Sequence, residues 1–195
     1  MKTIRIKPKI TDLPPNLPKE KLQFAKTNNN KLFIGIDNGV TGTIGCIFNN
    51  KSWFFETYVK KEQNYTKAKG NISRVIFKEL YLKLWNIILE CSNPSVMCLI
   101  ERPMINPTRF KASISAVRAL ETTLNVIEEL ELPYQYEDSK AWQKELLPKG
   151  IKGNVALKAA SKTIGCRLFP QHFELITKHK DADGIFLAEF CRRKF

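Results

Sequence analysis

The segment 31–45, KLFIGIDNGVTGTIG, constrains the fold more than any other part of the chain. Its apolar run at 32–36 predicts a buried central strand, and that strand ends on a carboxylate, Asp37. Ligand sites of α/β sheets lie at the carboxyl ends of strands. The following glycines remove side-chain bulk, which would let backbone approach a phosphate; they are Gly39, Gly42 and Gly45. Asp37 is therefore either a ligand residue or the cap of a tight turn.

A second apolar run, Val96 to Ile100, also ends on a carboxylate, Glu101. Pro103 cannot extend a strand, so Glu101 takes the last paired position. A helical pattern separates the two runs, which predicts that their strands are parallel neighbours. Asp37 and Glu101 would then end side by side. Two carboxylates that close repel each other unless a cation lies between them, so the pair predicts a metal site.

The C-terminal segment 178–184, KHKDADG, supplies a third group of candidates. His179 and Asp183 are four residues apart, a spacing that places two residues on one helical face, and a terminal helix is predicted over 181–193. Asp183 suits Mg²⁺ or Mn²⁺, whereas His179 is a metal ligand, a group that positions water or moves a proton, or a solvated surface residue. Asp181 lies about 160° away on that helix and is assigned as a helix-stabilising charge. Whether Asp181 rather than His179 completes the site stays open.

The rest of the pattern predicts one α/β domain over 31–195, preceded by a basic, flexible extension over 1–30 that is rich in proline and asparagine. The expected order is three antiparallel strands, a helix, a parallel strand, a helix, a short strand and further helices. That order is the ribonuclease H-like mixed sheet, flanked by helices. A polar loop is expected over 60–70, a long helix from Ile72 to Ile88, and a helix from Asn154 that ends at Gly165.

The charge of the chain indicates a polyanionic partner. Lysine and arginine number 32 against 19 aspartate and glutamate, which gives a net charge of +13. Such an excess is typical of nucleic-acid-binding proteins, although an A/T-biased genome rich in lysine and asparagine codons also produces it.

The five cysteines are scattered and predict reduced core residues. No apolar run is long enough to span a membrane and no signal peptide is evident, so an intracellular protein is expected.

Four motifs in this order resemble RuvC-type Holliday-junction resolvases, especially their organellar and bacteriophage branch, over about Lys31 to Lys194. The segment 33–42 resembles the first motif of the family, and Cys98-Leu-Ile-Glu101 its second. Ala141-Trp142-Gln-Lys144, with Lys158 and Leu168-Phe169-Pro170, is similar to its Trp-Lys and Leu-Phe-Pro stretch. The segment 178–190 resembles its terminal helix, in which an acidic residue follows a histidine by four.

The resemblance implies a structure-selective DNA endonuclease. Such an enzyme acts as a homodimer that cuts two symmetrically placed phosphodiesters of a four-way junction. Two Mg²⁺ (or Mn²⁺) ions would activate water and stabilise the leaving 3′-oxygen. Carried over residue by residue, the metal ligands are Asp37, Glu101 and Asp183, and His179 joins them as a catalytic residue.

A basic surface follows Glu101 and is the candidate DNA-binding region. It comprises Arg102, Arg109, Phe110, Lys111 and Arg118. The cations would bind phosphates, and Phe110 would wedge between bases at a junction. The alternative is a solvated loop in which Phe110 faces the core.

Three other functions compete with junction resolution. A sugar-kinase or actin-like ATPase would use the segment 35–42 as a phosphate loop, but such proteins need a second domain for which 195 residues leave no room. A non-catalytic nucleic-acid-binding module would not need the three carboxylates. Another ribonuclease H-like nuclease, acting on RNA–DNA hybrids, fits the carboxylates equally well, and only the Trp142 and Leu168–Pro170 segments favour the resolvase.

Overall fold

The computed structural model describes residues 30–64, 70–179 and 181–195. The strands are β1 (Lys31–Ile36), β2 (Thr43–Phe48), β3 (Lys51–Glu56), β4 (Val59–Gln63), β5 (Asn71–Val75), β6 (Ser95–Glu101) and β7 (Tyr134–Glu137). The helices are α1 (Phe77–Glu90), α2 (Phe110–Glu129), α3 (Ser139–Leu146), α4 (Asn154–Leu168), α5 (Phe173–His179) and α6 (Asp183–Lys194). The predicted N-terminal extension lies outside the described residues, apart from its last residue.

Five strands form one mixed sheet in the order β3-β2-β1-β6-β7. The pairs β1–β2 and β2–β3 are antiparallel, whereas β6 runs parallel to both β1 and β7. Tight turns produce the antiparallel part, and helical crossovers produce the parallel part. The predicted ribonuclease H-like sheet is therefore confirmed in its strand order and directions.

Helices cover both faces of this sheet. Alternate residues of β1, Leu32, Ile34 and Ile36, pack with α1 and α2 in one apolar cluster. The opposite face packs against α6, whose residues join Trp142 of α3 and Ile176 of α5 in a second cluster. The period of two along each strand sends successive side chains into different layers. Four cysteines are buried, Cys166 is half-buried, and all five are free thiols.

Glycines let α6 approach the sheet closely. Gly35 and Gly45 face each other across β1 and β2. A Cβ at Gly35 would collide with the backbone of α6 at Ala188, and one at Gly45 with that of Ile185. Gly45 thus makes room for a helix rather than for a phosphate, which corrects the sequence interpretation. The close packing fixes the first residue of α6, Asp183, at the carboxyl edge of β1.

We expect Gly45→Ala to lower the free energy of unfolding by roughly 2–3 kcal/mol, because rigid backbone atoms occupy the space that the methyl group needs. Urea unfolding followed by circular dichroism measures this. Gly39→Ala is the control, since a Cβ there would lie 3.8 Å from its nearest neighbour, the backbone nitrogen of Gly42. Equal unfolding midpoints for the two variants would contradict the proposed packing.

Strand β4 overlaps the region predicted as a polar loop, and β5 overlaps the start of the predicted helix. Strands β4 and β5 pair antiparallel, with Val59 opposite Val75, as a separate two-stranded sheet. The predicted helix from Ile72 is wrong in its first turn, because α1 begins only at Phe77. Ile72 and Val75 match a helical period, but cross-strand pairing with β4 determines their conformation.

The predicted terminal helix is also wrong at its start. Helix α5 ends at His179 and α6 begins at Asp183, so these two residues do not share a helical face. Helix α4 passes through Gly165 instead of ending there. Glycine at this position leaves room for Ala182, because a Cβ would collide with that side chain.

Among the described residues, no helix is both long and apolar enough to cross a bilayer.

Candidate active site and metal centre

The three predicted carboxylates lie in one cleft at the carboxyl edge of the sheet. Asp37 follows β1 directly, and Glu101 ends the neighbouring parallel strand β6, with Ile36 paired to Ile100 just before them. Asp183 opens α6, which packs on β1 and β2. All three line a cleft of about 270 Å³, which we call the carboxylate cleft. The fold thus brings together carboxylates that are far apart in the chain, as their positions at strand ends predicted for Asp37 and Glu101.

Two of these carboxylates form a tighter group with a buried residue, Asp181, which the sequence pattern assigned to helix stabilisation. Asp37, Asp181 and Asp183 can each place one carboxylate oxygen within 4.8 Å of the others. Asp181 is only 1% exposed and lies between α5 and α6. The angular argument against it assumed a helix that starts two residues too early. Glu101 lies outside this group of three but lines the same cleft.

Burial and mutual repulsion raise the pKa values of the carboxylates. Burial raises the pKa of Asp37 well above its usual range, and the charges of Glu101 and Asp183 raise it further. Burial likewise raises the pKa of Glu101 to about 7 and that of Asp183 to about 6. A bound cation would reverse these shifts, since it favours the ionised forms. A cluster of oxygen donors of this kind fits a hard divalent cation such as Mg²⁺ or Mn²⁺.

Buried donors orient two of the carboxylates. The indole N–H of Trp142, which is 1% exposed, donates to Oε2 of Glu101 at 3.0 Å. The hydroxyl of Ser161 donates to Oδ1 of Asp183 at 2.6 Å and accepts from the Ala182 N–H at 3.0 Å. Partners of this kind limit the orientations of ligand side chains. In the sequence, Trp142 stands out only through its motif. Ser161 has no clear sequence signal, because it lies in a helix that lacks a clear polar face.

Asp181 is held in its ionised form by two partners. The ammonium of Lys158 lies 2.7 Å from Oδ2, and Nδ1 of His179 lies 3.2 Å from Oδ1. Burial alone would raise the pKa of Asp181, but these hydrogen bonds outweigh it and lower the pKa. Asp181 therefore carries its charge even where the neighbouring carboxyls are protonated.

His179 connects the site to the turn after β1. Its Nε2 lies 3.0 Å from the carbonyl oxygen of Thr41, and its Nδ1 faces Asp181. Both partners are acceptors, so a ring that is protonated on both nitrogens satisfies both contacts. The hydrogen bond to Asp181 accordingly raises the pKa of His179. This geometry favours a positioning role over metal ligation, because neither ring nitrogen is left for a cation.

The predicted DNA-binding residues divide into two places. Arg102, Arg109, Phe110 and Lys111 are exposed around the loop and helix start that follow β6. The Phe110 side chain is 70% exposed, which excludes the alternative that it faces the core. Arg118 is half-buried and lines a separate cleft between β5 and α2, together with Arg74.

A second, basic cleft opens from one end of the carboxylate cleft. It has a volume of about 490 Å³, and no acidic side chain is among the described residues that line it. We call it the lysine cleft, after Lys140, Lys144 and Lys149. It shares Met104, Ser139, Gln143, Asn154 and Leu157 with the carboxylate cleft. The lysine-rich stretch 140–152 was the available sequence signal.

We expect Trp142→Phe to weaken the apparent Mg²⁺ affinity about 10- to 100-fold in any metal-dependent activity, because Glu101 loses the donor that orients it. Phenylalanine keeps an aromatic ring in the second apolar cluster, so folding should persist. Magnesium titration of single-turnover cleavage measures the effect. Trp85→Phe is the matched control, since Trp85 packs against the other cluster, on α1. Equal Mg²⁺ dependence of both variants would contradict a positioning role for Trp142.

Two solved structures of RuvC from Thermus thermophilus are similar to this chain. One, in complex with a Holliday junction substrate, is 12% identical with a TM-score of 0.47, and the match covers 84% of this chain and 94% of that chain. The other is 16% identical with a TM-score of 0.42, and the match covers 84% of this chain and 96% of that chain. No protein-family model and no curated protein matched the chain.

Proposed function

We propose that this protein is a divalent-metal-dependent DNA endonuclease that resolves four-way junctions by paired, symmetric phosphodiester hydrolysis. The observation that carries the proposal is the gathering of Asp37, Glu101 and Asp183 in one cleft, with the buried Asp181 close to Asp37 and Asp183. Acidic clusters at the carboxyl edge of a sheet suit phosphodiester chemistry, which needs cations to balance the charge of the reacting phosphate. The motif resemblance to RuvC-type resolvases selects the junction among nucleic-acid substrates.

Each residue of the site has a separate task in this proposal. Asp37, Asp183 and Asp181 would bind two Mg²⁺ or Mn²⁺ ions, with Glu101 completing the set. The ions would supply an activated water and stabilise the leaving 3′-oxygen. Trp142 and Ser161 orient Glu101 and Asp183. Lys158 and His179 keep Asp181 charged and in place.

Charge and shape suit DNA as the partner. The lysine cleft continues from the carboxylates and would bind the phosphates of the strand that is cut. Arg102, Arg109 and Lys111 would hold a neighbouring arm of the junction, while exposed Phe110 would insert between bases. Paired cuts need two active sites, so the proposal includes a homodimer.

A side-by-side cleavage assay tests the proposal and its rivals. The substrates are a four-way DNA junction, an RNA–DNA hybrid and a linear duplex, each with Mg²⁺, Mn²⁺ or EDTA. We expect symmetric nicks in the junction, which require the divalent ion. Preference for the hybrid would instead indicate another ribonuclease H-like nuclease. Binding without cleavage of any substrate would indicate a non-catalytic module.

A further inference from the structure

Another cleft opens from the carboxylate cleft on the side where α5 ends. It has a volume of about 380 Å³ and lies between the turn after β1, the end of β3 and the end of α5. It shares Thr41, Gly42 and Lys158 with the carboxylate cleft. We call it the Lys178 cleft. The carboxylates therefore have an open cleft on each side, the lysine cleft and the Lys178 cleft.

The ionisable side chains that line the Lys178 cleft are mainly basic. Lys158, Lys178 and His179 line it, and Glu56 is the acidic residue among its described lining residues. Lys158 and His179 both contact Asp181, at 2.7 Å and 3.2 Å. Asp181 itself is almost fully buried and is already paired with Lys158. A negatively charged group is thus the ligand that this lining favours.

Lys178 is the cation that is most available to such a ligand. Its side chain is 75% exposed, and its ammonium lies 3.9 Å from Oε1 of Glu56, which is itself 43% exposed. An exposed ion pair at this distance contributes little free energy, because water and salt screen it. An incoming phosphate can therefore replace Glu56 as the partner of Lys178 at small cost.

We infer that the Lys178 cleft binds the phosphodiester backbone of the cut strand on the side opposite the lysine cleft, with Lys178 contacting a phosphate. The inference rests on the proposed function. An endonuclease cuts inside a strand, so the strand must continue on both sides of the reacting phosphate. The two clefts that meet at the carboxylates provide these two paths, and both have basic linings.

Binding of fluorescent junction DNA in EDTA, where no metal-dependent cleavage occurs, tests this inference. Lys178→Ala should weaken binding about fivefold and reduce the slope of log K against log salt by about 1. Glu56→Gln should tighten binding, because it removes the competing carboxylate. Lys51→Ala is the matched control, since Lys51 forms an exposed pair with Glu90 at 3.4 Å and begins β3, the strand that Glu56 ends. It removes the same charge, and we expect it to leave the slope unchanged.

Uncharged methylphosphonates placed one at a time around the cut position provide a second test. A methylphosphonate at the phosphate that Lys178 contacts should weaken DNA binding by the unaltered protein. The same methylphosphonate should cause no further loss of binding by the Lys178→Ala variant. Additive effects at every position would overturn the inference, as would equal losses for Lys178→Ala and Lys51→Ala. In these cases the unaltered protein still binds and cuts the junction. Failure of the proposed function differs, because the unaltered protein then fails to cut the junction in preference to the hybrid and the linear duplex.

Discussion

Asp37→Asn is expected to abolish junction cleavage, with a loss of more than about 1,000-fold, while junction binding survives. Asparagine keeps the shape of the side chain but removes the charge that would balance a divalent cation. Asp37 is half-buried and close enough to Glu101 and Asp183 for their charges to act on it, so its own charge is part of what would hold a cation there. Glu101→Gln and Asp183→Asn should act alike. Single-turnover cleavage and fluorescence anisotropy with the same junction measure the two properties.

Glu90→Gln is the matched control for these substitutions. Glu90 is an exposed carboxylate that pairs with Lys51 at the end of α1, away from the carboxylate cleft. It should cut DNA at the rate of the unaltered protein. Normal cleavage by Asp37→Asn, Glu101→Gln or Asp183→Asn would show that the altered residue is not a metal ligand.

The same assay distinguishes Asp181 from His179. Asp181→Asn should match the loss of Asp37→Asn, because both belong to the group that can surround one ion. His179→Ala should slow cleavage less, since the ring contacts Asp181 and Thr41 rather than the cleft centre. A greater loss for His179→Ala than for Asp181→Asn would restore His179 as a direct catalytic group.

The metal-free protein is expected to lose stability as pH rises from about 4 to 7. The pKa of Glu101 is raised from 4.5 to about 7 and that of Asp183 from 3.8 to about 6. The folded protein therefore binds more protons than the unfolded chain in this window, so the free energy of unfolding falls as these protons leave. One pKa unit corresponds to about 1.4 kcal/mol, so the two shifts together correspond to a loss on the order of 6 kcal/mol. The pKa of Asp181 is lowered, so its protonation changes the free energy of unfolding only below this pH window.

Magnesium should reverse this loss at high pH. An ion that binds only the folded state adds about 2.7 kcal/mol at 100 times its dissociation constant. Thermal unfolding at pH 5 and pH 8, with EDTA or with Mg²⁺, measures both effects. Glu101→Gln should show a weaker pH dependence in EDTA, because it removes one titrating group. Metal-free stability that stays flat or rises between these pH values would contradict the carboxylate cluster.

The sequence could predict the meeting of Asp37 and Glu101 because the relevant signals are local and strong. Each ends an apolar run, and a helical crossover between two strands makes them parallel. The carboxyl ends of neighbouring parallel strands necessarily share one edge of the sheet. The motif in the segment 178–190 predicted Asp183 as a third member of the site. The prediction that Asp183 shares a helical face with His179 was wrong.

The parts that the sequence could not predict depend on tertiary contacts. Asp181 becomes a candidate ligand only because α5 and α6 are two separate helices, with Asp181 between them. The close packing of Ala182 against Gly165 stabilises this arrangement. The pairing of β4 with β5 joins a polar segment to one whose own pattern also suits a helix. The closeness of α6 to the sheet depends on Gly35 and Gly45, whose role is visible only when the helix is in place.

A crystal soaked in Mn²⁺, with anomalous diffraction collected at the manganese edge, tests the central claim most directly. The account predicts anomalous density in the carboxylate cleft, within bonding distance of Asp37 and Asp183, with Asp181 or Glu101 as a further ligand. The same soak of Asp37→Asn should lose that density. Well-ordered carboxylates with no manganese between them, in a crystal soaked at a Mn²⁺ concentration that saturates cleavage, would contradict the proposed metal site.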